Sequence, residues 1–217
     1  MDPISIIIFI LILLFSVIFH EVAHGLVAEK LGDPTAREAG RLTLNPIPHI
    51  DPFGSILLPL FLFWATHGMF VFGAAKPVPV DYRNFKNLKR DMFLVAIAGV
   101  ATNFLLAILA AAVFRLVPNI SAMGQDLLIE TVSLNLVLCF FNLIPVPPLD
   151  GSKVLASILG YFNEAWMYAI LSLERFGIWL FAVLAILLYT GVLQSIVLPP
   201  LVFFLKFLLG PNAPLGF

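Results

Sequence analysis

Residues 4–28 read ISIIIFILILLFSVIFHEVAHGLVA, and this stretch decides the fold. Before His20 every side chain but Ser5 and Ser16 is apolar, and the whole run through Ala28 exceeds the roughly 20 residues a helix needs to cross the hydrocarbon of a bilayer. His20, Glu21 and His24 then stand in the pattern H-E-x-x-H. On a helix this spacing puts both imidazoles on one face, where they can bind a single zinc ion. It also places Glu21 as general base for the water that the ion activates. Three polar side chains in hydrocarbon are expensive unless they line a cavity or bind something. The pattern therefore implies metal chemistry within the membrane.

The rest of the chain has the same character. Of 217 residues, 61% are hydrophobic and 12% charged, against about 45–50% and about 25% in a soluble domain. That excess predicts an all-α polytopic membrane protein, in which each helix satisfies its own backbone. A net charge of −1 argues against a nucleic-acid partner. The single Cys139 gives no intrachain disulfide framework. The opening run lacks a basic leading region and a small-residue cleavage site, so it reads as a retained transmembrane helix. With no internal repeat, residues 1–217 read as one membrane domain, with its core at about 4–160 and further helices at about 169–209.

Six apolar runs follow one another: Ile4–Ala28, Phe53–Phe72, Met92–Val117, Leu127–Ile144, Ala169–Tyr189 and Val192–Leu209. They predict about five transmembrane helices plus one re-entrant or hairpin element. Phe53–Phe72 is the exception, because it contains Pro59, His67 and Gly68 and because of the basic residues. If it does not cross, Lys30, Arg37, Arg41, Lys76, Arg83, Lys86, Lys89, Arg90 and Lys153 share one face. Arg175 and Lys206 lie near that face and Arg115 lies opposite, a split of 11 against 1. If it crosses, the split is 8 against 4. The positive-inside rule favours the first arrangement. It predicts a multi-pass protein of the cell membrane, with the N-terminus outside and the site toward the cytoplasm. Arg83–Arg90 reads as an anchor to lipid headgroups.

A catalytic zinc usually has three protein ligands and an open position for water. Asp150, after Pro145-Val146-Pro147-Pro148-Leu149 and before Gly151, is the best third ligand; a turn or helix-capping aspartate is the other reading. His49, Asp51 and His67 compete with it. Asn142 sits in a membrane run, where its amide can donate to the oxyanion of a tetrahedral intermediate or bridge two helices. Asn103, with Gly99 one turn before it, reads as a device that brings helices close together.

Three motifs in order carry a family resemblance. They are Phe19-His20-Glu21-Val22-Ala23-His24-Gly25, then Gly99-Val100-Ala101-Thr102-Asn103, then Asn142 through Pro145 to Asp150-Gly151. Over about Ile4 to Leu159 the chain resembles the site-2 proteases, which are zinc intramembrane metalloproteases. The resemblance implies Asp150 as the third ligand of one zinc ion per chain, and Asn142 as a residue that helps hold the scissile peptide. Ser152 stands where the family often has Gly. The PDZ and CBS modules of many relatives have no counterpart here, so the chain resembles a minimal branch of the family. Selection or regulation by such modules is absent or comes from a membrane partner chain.

The expected activity is hydrolysis of peptide bonds within or near transmembrane segments of membrane-protein or peptide substrates, with membrane lipids as the surroundings. A substrate helix hides its peptide bonds, so a strand edge formed by Val71–Ala75 and Lys76–Val80 is expected to hold the unwound stretch. Three other classes compete: a metal-ion transporter, a catalytically inactive membrane scaffold, and an unrelated membrane protease acting on soluble tails. The absence of a second copy of the His motif counts against the transporter. The presence of Glu21 and the candidate ligands counts against the scaffold.

Overall fold

The computed structural model describes residues 3–57, 64 and 76–211. These form helices and connecting loops, with no β-strand among them. The helices are α1 (Pro3–Lys30), α2 (Thr35–Glu38), α3 (Leu88–Leu116), α4 (Ala122–Asn142), α5 (Asp150–Phe162), α6 (Glu164–Ser172), α7 (Ile178–Tyr189) and α8 (Val192–Leu209). Among the described residues, α1, α3, α4 and α8 are long and apolar enough to cross a membrane. The all-α polytopic class holds.

Each boundary has a local cause. Gly32 adopts φ +109, which only glycine takes easily, and Pro34 follows it, so α1 stops at Lys30. Asn87 caps α3 by accepting from the Arg90 N–H at 3.2 Å, and Ser121 caps α4 by accepting from the Gly124 N–H at 3.2 Å. Pro145 lies just beyond the end of α4.

The long helices run alternately. The C-terminal end of α1 meets the N-terminal third of α3 and the C-terminal end of α4. We refer to this as the active end. Ala107, Ala110 and Ala111 of α3 pack against Val132 and Leu136 of α4 and Leu201, Leu205 and Leu209 of α8. Alanines on the middle helix let its neighbours approach closely, as packing in lipid requires. On the outside, Ile7, Phe9, Ile10, Leu105, Leu109, Phe203 and Phe207 are exposed, a surface suited to hydrocarbon and not to water.

Two expectations need correction. The run Ala169–Tyr189 is not one spanning helix. It is divided into α6, a 3-10 turn at Leu173–Phe176, Gly177 at φ +35, and the twelve-residue α7. Glu174 and Arg175 make an uninterrupted crossing expensive here, and Gly177 supplies the break. Among the described residues, four helices are therefore long and apolar enough to span. Lys206 is also at the other end from where the charge tally placed it. The Arg115 Nη2 donates to the Phe207 carbonyl at 2.7 Å, joining the distal ends of α3 and α8. Of the 12 basic residues, the far end holds Arg115 and Lys206, which leaves 12 − 2 = 10 at the active end.

Most of Phe53–Phe72, including His67, lies outside the described residues, as does Val71–Ala75 of the expected strand edge. The flanks of the run meet at the active end, where the Lys76 N–H donates to the His49 carbonyl at 2.9 Å.

Candidate metal centre

His20 and His24 lie one turn apart near the end of α1, buried against α3. Gly99 of α3 faces them. A Cβ there would fall 2.5 Å from His24 Nε2 and 2.6 Å from His20 Nε2, so no other residue leaves the imidazoles their space. From the opposite side α5 begins with Asp150. A Cβ on Gly151 would run into the Leu143 and Ile144 carbonyls, so glycine lets the loop after α4 fold tightly onto the first turn of α5. Asp150 is thereby turned toward the two rings.

The three side chains meet at one point. His20 Nε2 and His24 Nε2 are 3.0 Å apart, and Asp150 Oδ2 is 3.0 Å from the first and 3.1 Å from the second. Ligand atoms bound to a tetrahedral zinc at 2.0–2.1 Å are about 3.3 Å from one another. The triangle is close to that size. No other group of three His, Cys, Asp or Glu ligand atoms converges in this way among the described residues.

The outer hydrogen bonds determine which atoms face inward. His24 Nδ1 is 2.7 Å from the Val95 carbonyl, which can only accept, so Nδ1 carries the hydrogen. His20 Nδ1 is 2.6 Å from Asn103 Oδ1. The Asn103 amide cannot be turned round, because its Nδ2 donates to Asn135 Oδ1 at 2.9 Å and to the Ser16 carbonyl at 3.3 Å. Asn135 is fixed in turn, its Nδ2 donating to Ser16 Oγ and to the Thr131 carbonyl, each at 2.9 Å. In the neutral rings both Nε2 atoms therefore present lone pairs. Asp150 Oδ2, buried and without a hydrogen-bond donor, adds a third. Three facing lone pairs repel unless a cation sits among them. Two imidazoles and one carboxylate, with a fourth direction open, are a donor set that fits zinc.

A cavity of about 270 Å³ opens beside this triangle, and Glu21, Asn142, Lys153, Tyr82 and Glu174 are among its lining residues. Glu21 Oε2 accepts from the Val78 N–H at 2.7 Å. Pro77 and Pro79 have no N–H, so the Val78 donor of this extended segment is spent on Glu21. Within Lys76–Val80, the described part of the expected edge, that donor is thus not free to pair with a substrate strand. Asn142 donates through Nδ2 to Leu138 of its own helix at 3.0 Å, leaving the second hydrogen of the amide. Burial works against the charge of Lys153, but Tyr82, Asp150, Glu174 and Glu21 around it outweigh burial and raise its pKa above the ordinary lysine value.

Of the residues singled out from sequence, His20, Glu21, His24, Asn142 and Asp150 come together around this cavity. Of the competing ligands, His49 and Asp51 do not join them, and His67 lies outside the described residues. His49 is buried elsewhere, with Nε2 donating to the Thr43 carbonyl at 2.9 Å. Asp51 Oδ2 accepts from the Gly54 N–H at 2.6 Å. Asn103 and Gly99 do more than bring helices together, since one orients His20 and the other makes room for both rings. Ser16, Asn135 and Lys153 carried no site expectation. An Asn at mid-depth in an apolar run was the available signal for Asn135.

No family model matches the chain, and no solved structure matches it. Curated relatives do. The chain is 40% identical over 169 residues to the Bacillus subtilis protein named "Putative zinc metalloprotease YwhC", covering 72% of each. It is 28% identical over 191 residues to "Putative zinc metalloprotease Rip2" of Mycolicibacterium smegmatis, covering 86% of this chain and 70% of that one. To Rip2 of Mycobacterium tuberculosis it is 35% identical over 143 residues, 65% of this chain and 53% of the relative. With three buried ligand atoms converging at the end of a membrane helix and this degree of identity to YwhC, the chain belongs to the zinc metalloprotease family of YwhC and Rip2.

Proposed function

We propose that the protein is an intramembrane zinc metalloendopeptidase of the site-2 protease type, cleaving peptide bonds within or near transmembrane segments of its substrates. One observation carries the proposal. His20 Nε2, His24 Nε2 and Asp150 Oδ2 lie 3.0–3.1 Å apart beside the Glu21 carboxylate, on and around a spanning helix. The family resemblance and the named relatives support it. We place the site toward the cytoplasm of a cell-membrane protein with its N-terminus outside. The gathering of 10 of the 12 basic residues at the active end favours this orientation.

His20, His24 and Asp150 would hold the zinc, with Asn103 and the Val95 carbonyl fixing the rings from behind. The ion, when bound, supplies Lewis acidity and a water of lowered pKa. Glu21 takes a proton from the attacking water. Its Oε2 is held by the Val78 N–H, so Oε1 is the accepting atom, and the proton then passes to the leaving amine nitrogen. Asn142 has one amide hydrogen left for the substrate backbone. Tail-facing apolar side chains on the outside of α1 and α3 keep bulk water from the flanks of the site.

The test is Glu21→Gln in the purified protein, reconstituted in liposomes with a transmembrane peptide substrate. Cleavage read by mass spectrometry is expected to fall by about 10²-fold or more with zinc content unchanged. A variant that cleaved at the wild-type rate would overturn the proposal. A metal-ion transporter built on the same three residues would keep its zinc flux in Glu21→Gln and show no cleavage in either form.

A further inference from the structure

We propose that Lys153 is a catalytic residue of this site, its ammonium receiving the oxyanion formed when a peptide carbonyl is attacked beside His20, His24 and Asp150. The inference rests on the proteolytic reading above and adds a residue that reading does not use.

Lys153 lies three residues after Asp150 on α5, so both side chains project from the same face of the helix. It lines the same cavity as Glu21 and Asn142, with its side chain 23% exposed. Lysines are seldom buried this far without a partner. Among the described residues the carboxylate oxygen nearest its Nζ is Asp150 Oδ1, at 3.9 Å. That is close enough for attraction but too long for a hydrogen bond. Asp150 Oδ1 is the outer oxygen, since Oδ2 faces the imidazoles. The ammonium therefore stands beside the outer oxygen of Asp150, on the cavity that Glu21 and Asn142 also line, and among the described residues its N–H groups make no hydrogen bond.

The reaction creates a charge that such a group suits. The water oxygen bonds to the carbonyl carbon, and the π pair of the C=O moves onto its oxygen. One water proton goes to Glu21 and later to the amine nitrogen as the C–N bond breaks. Lys153 keeps its proton throughout. It supplies charge and a donor where negative charge develops in poorly solvated surroundings. Asn142 offers only a neutral amide there, and Glu21, Asp150 and Glu174 all make the cavity more hostile to an anion.

The experiment uses the full chain in lipid nanodiscs and a phosphonamidate peptide, a stable tetrahedral anion, as probe. Zinc content is measured on every sample. The expected result is equal zinc in wild type, Lys153→Met and Lys153→Arg, with the probe bound about 10- to 100-fold more weakly by Lys153→Met and within about threefold of wild type by Lys153→Arg. Lys153→Gln serves as the second neutral variant should Lys153→Met fail to reconstitute. Unchanged probe affinity in a zinc-loaded neutral variant overturns the proposal. So does loss of zinc in the neutral variants with retention in Lys153→Arg, which makes Lys153 a positioning group for Asp150. Wild-type protein that bound no zinc would sink the proteolytic reading itself, an outcome distinct from both.

Discussion

Gly99 and Asn103 show how closely the candidate centre depends on side chains that bind no metal. The imidazoles occupy the volume a methyl group on Gly99 would fill. Gly99→Ala is therefore expected to abolish zinc binding while the helical circular dichroism stays as in wild type; zinc retained at wild-type level would show that the rings can retreat. Asn103 acts through orientation. Asn103→Ala frees His20 to turn over and leaves Asn135 without its donor. Zinc affinity, measured by competition with a chelator, is expected to fall about 10- to 100-fold. At this scale the sequence announced the residues that sit together on one helix. His20, Glu21 and His24 are legible because four residues make a helical turn. Asp150 is 126 residues beyond His24, and spacing alone could not choose it over His49 or Asp51. Asn103 was read as a packing residue because nothing in a linear pattern shows that its carbonyl oxygen stops 2.6 Å from His20 Nδ1.

The elements at the active end are tied together by Asp33, in the loop after α1. Its Oδ1 accepts from the Thr35 N–H, the Thr35 hydroxyl and Asn84 Nδ2, and its Oδ2 accepts from the Asp81 N–H at 2.8 Å. The loop is thus fastened to the segment that carries Val78 and Tyr82 toward the cavity. Burial opposes the Asp33 charge, and hydrogen bonds from Thr35, Asn84 and Asp81 outweigh it, so its pKa lies below the ordinary 3.8. A depressed folded pKa contributes stability that is complete above 3.8 and is lost as pH falls through the folded value. Protection factors at residues 31–33, 35 and 81–84, corrected for the intrinsic pH dependence of exchange, should be high at neutral pH and fall in acid below that point. Asp33→Asn should show the lowered protection already at neutral pH, with a loss of about 2 kcal/mol. Equal protection in the two proteins would remove Asp33 from this role. The missed break in Ala169–Tyr189 belongs to the same scale. Its signals were present in Glu174, Arg175 and Gly177, but the apolar residues on both sides gave the run the length of a span.

For the whole molecule, the alternation of α1, α3, α4 and α8 puts the beginning of α1 and the end of α8 at the far end from the site. Lys86, Arg115 and Lys206 are exposed and mark the two ends. Single cysteines at Arg115 and Lys206 should react with an impermeant maleimide from one side of sealed vesicles, and a cysteine at Lys86 only from the other. Labelling of positions 206 and 86 from the same side would contradict the arrangement. Fold class was readable from hydropathy because lipid leaves the backbone few options. The end at which Lys206 lies was not, because it depends on whether the run before it crosses.

The central claim is that two imidazoles of α1 and the carboxylate that begins α5 hold one zinc ion beside Glu21. X-ray absorption at the zinc edge, on wild type and Asp150→Ala in nanodiscs, tests it most directly. The account predicts a four-coordinate nitrogen and oxygen environment at about 2.0–2.1 Å, including two imidazoles, in the wild type, and loss of bound zinc in Asp150→Ala. A sulfur-containing shell, or the same spectrum and zinc content in both proteins, would contradict it.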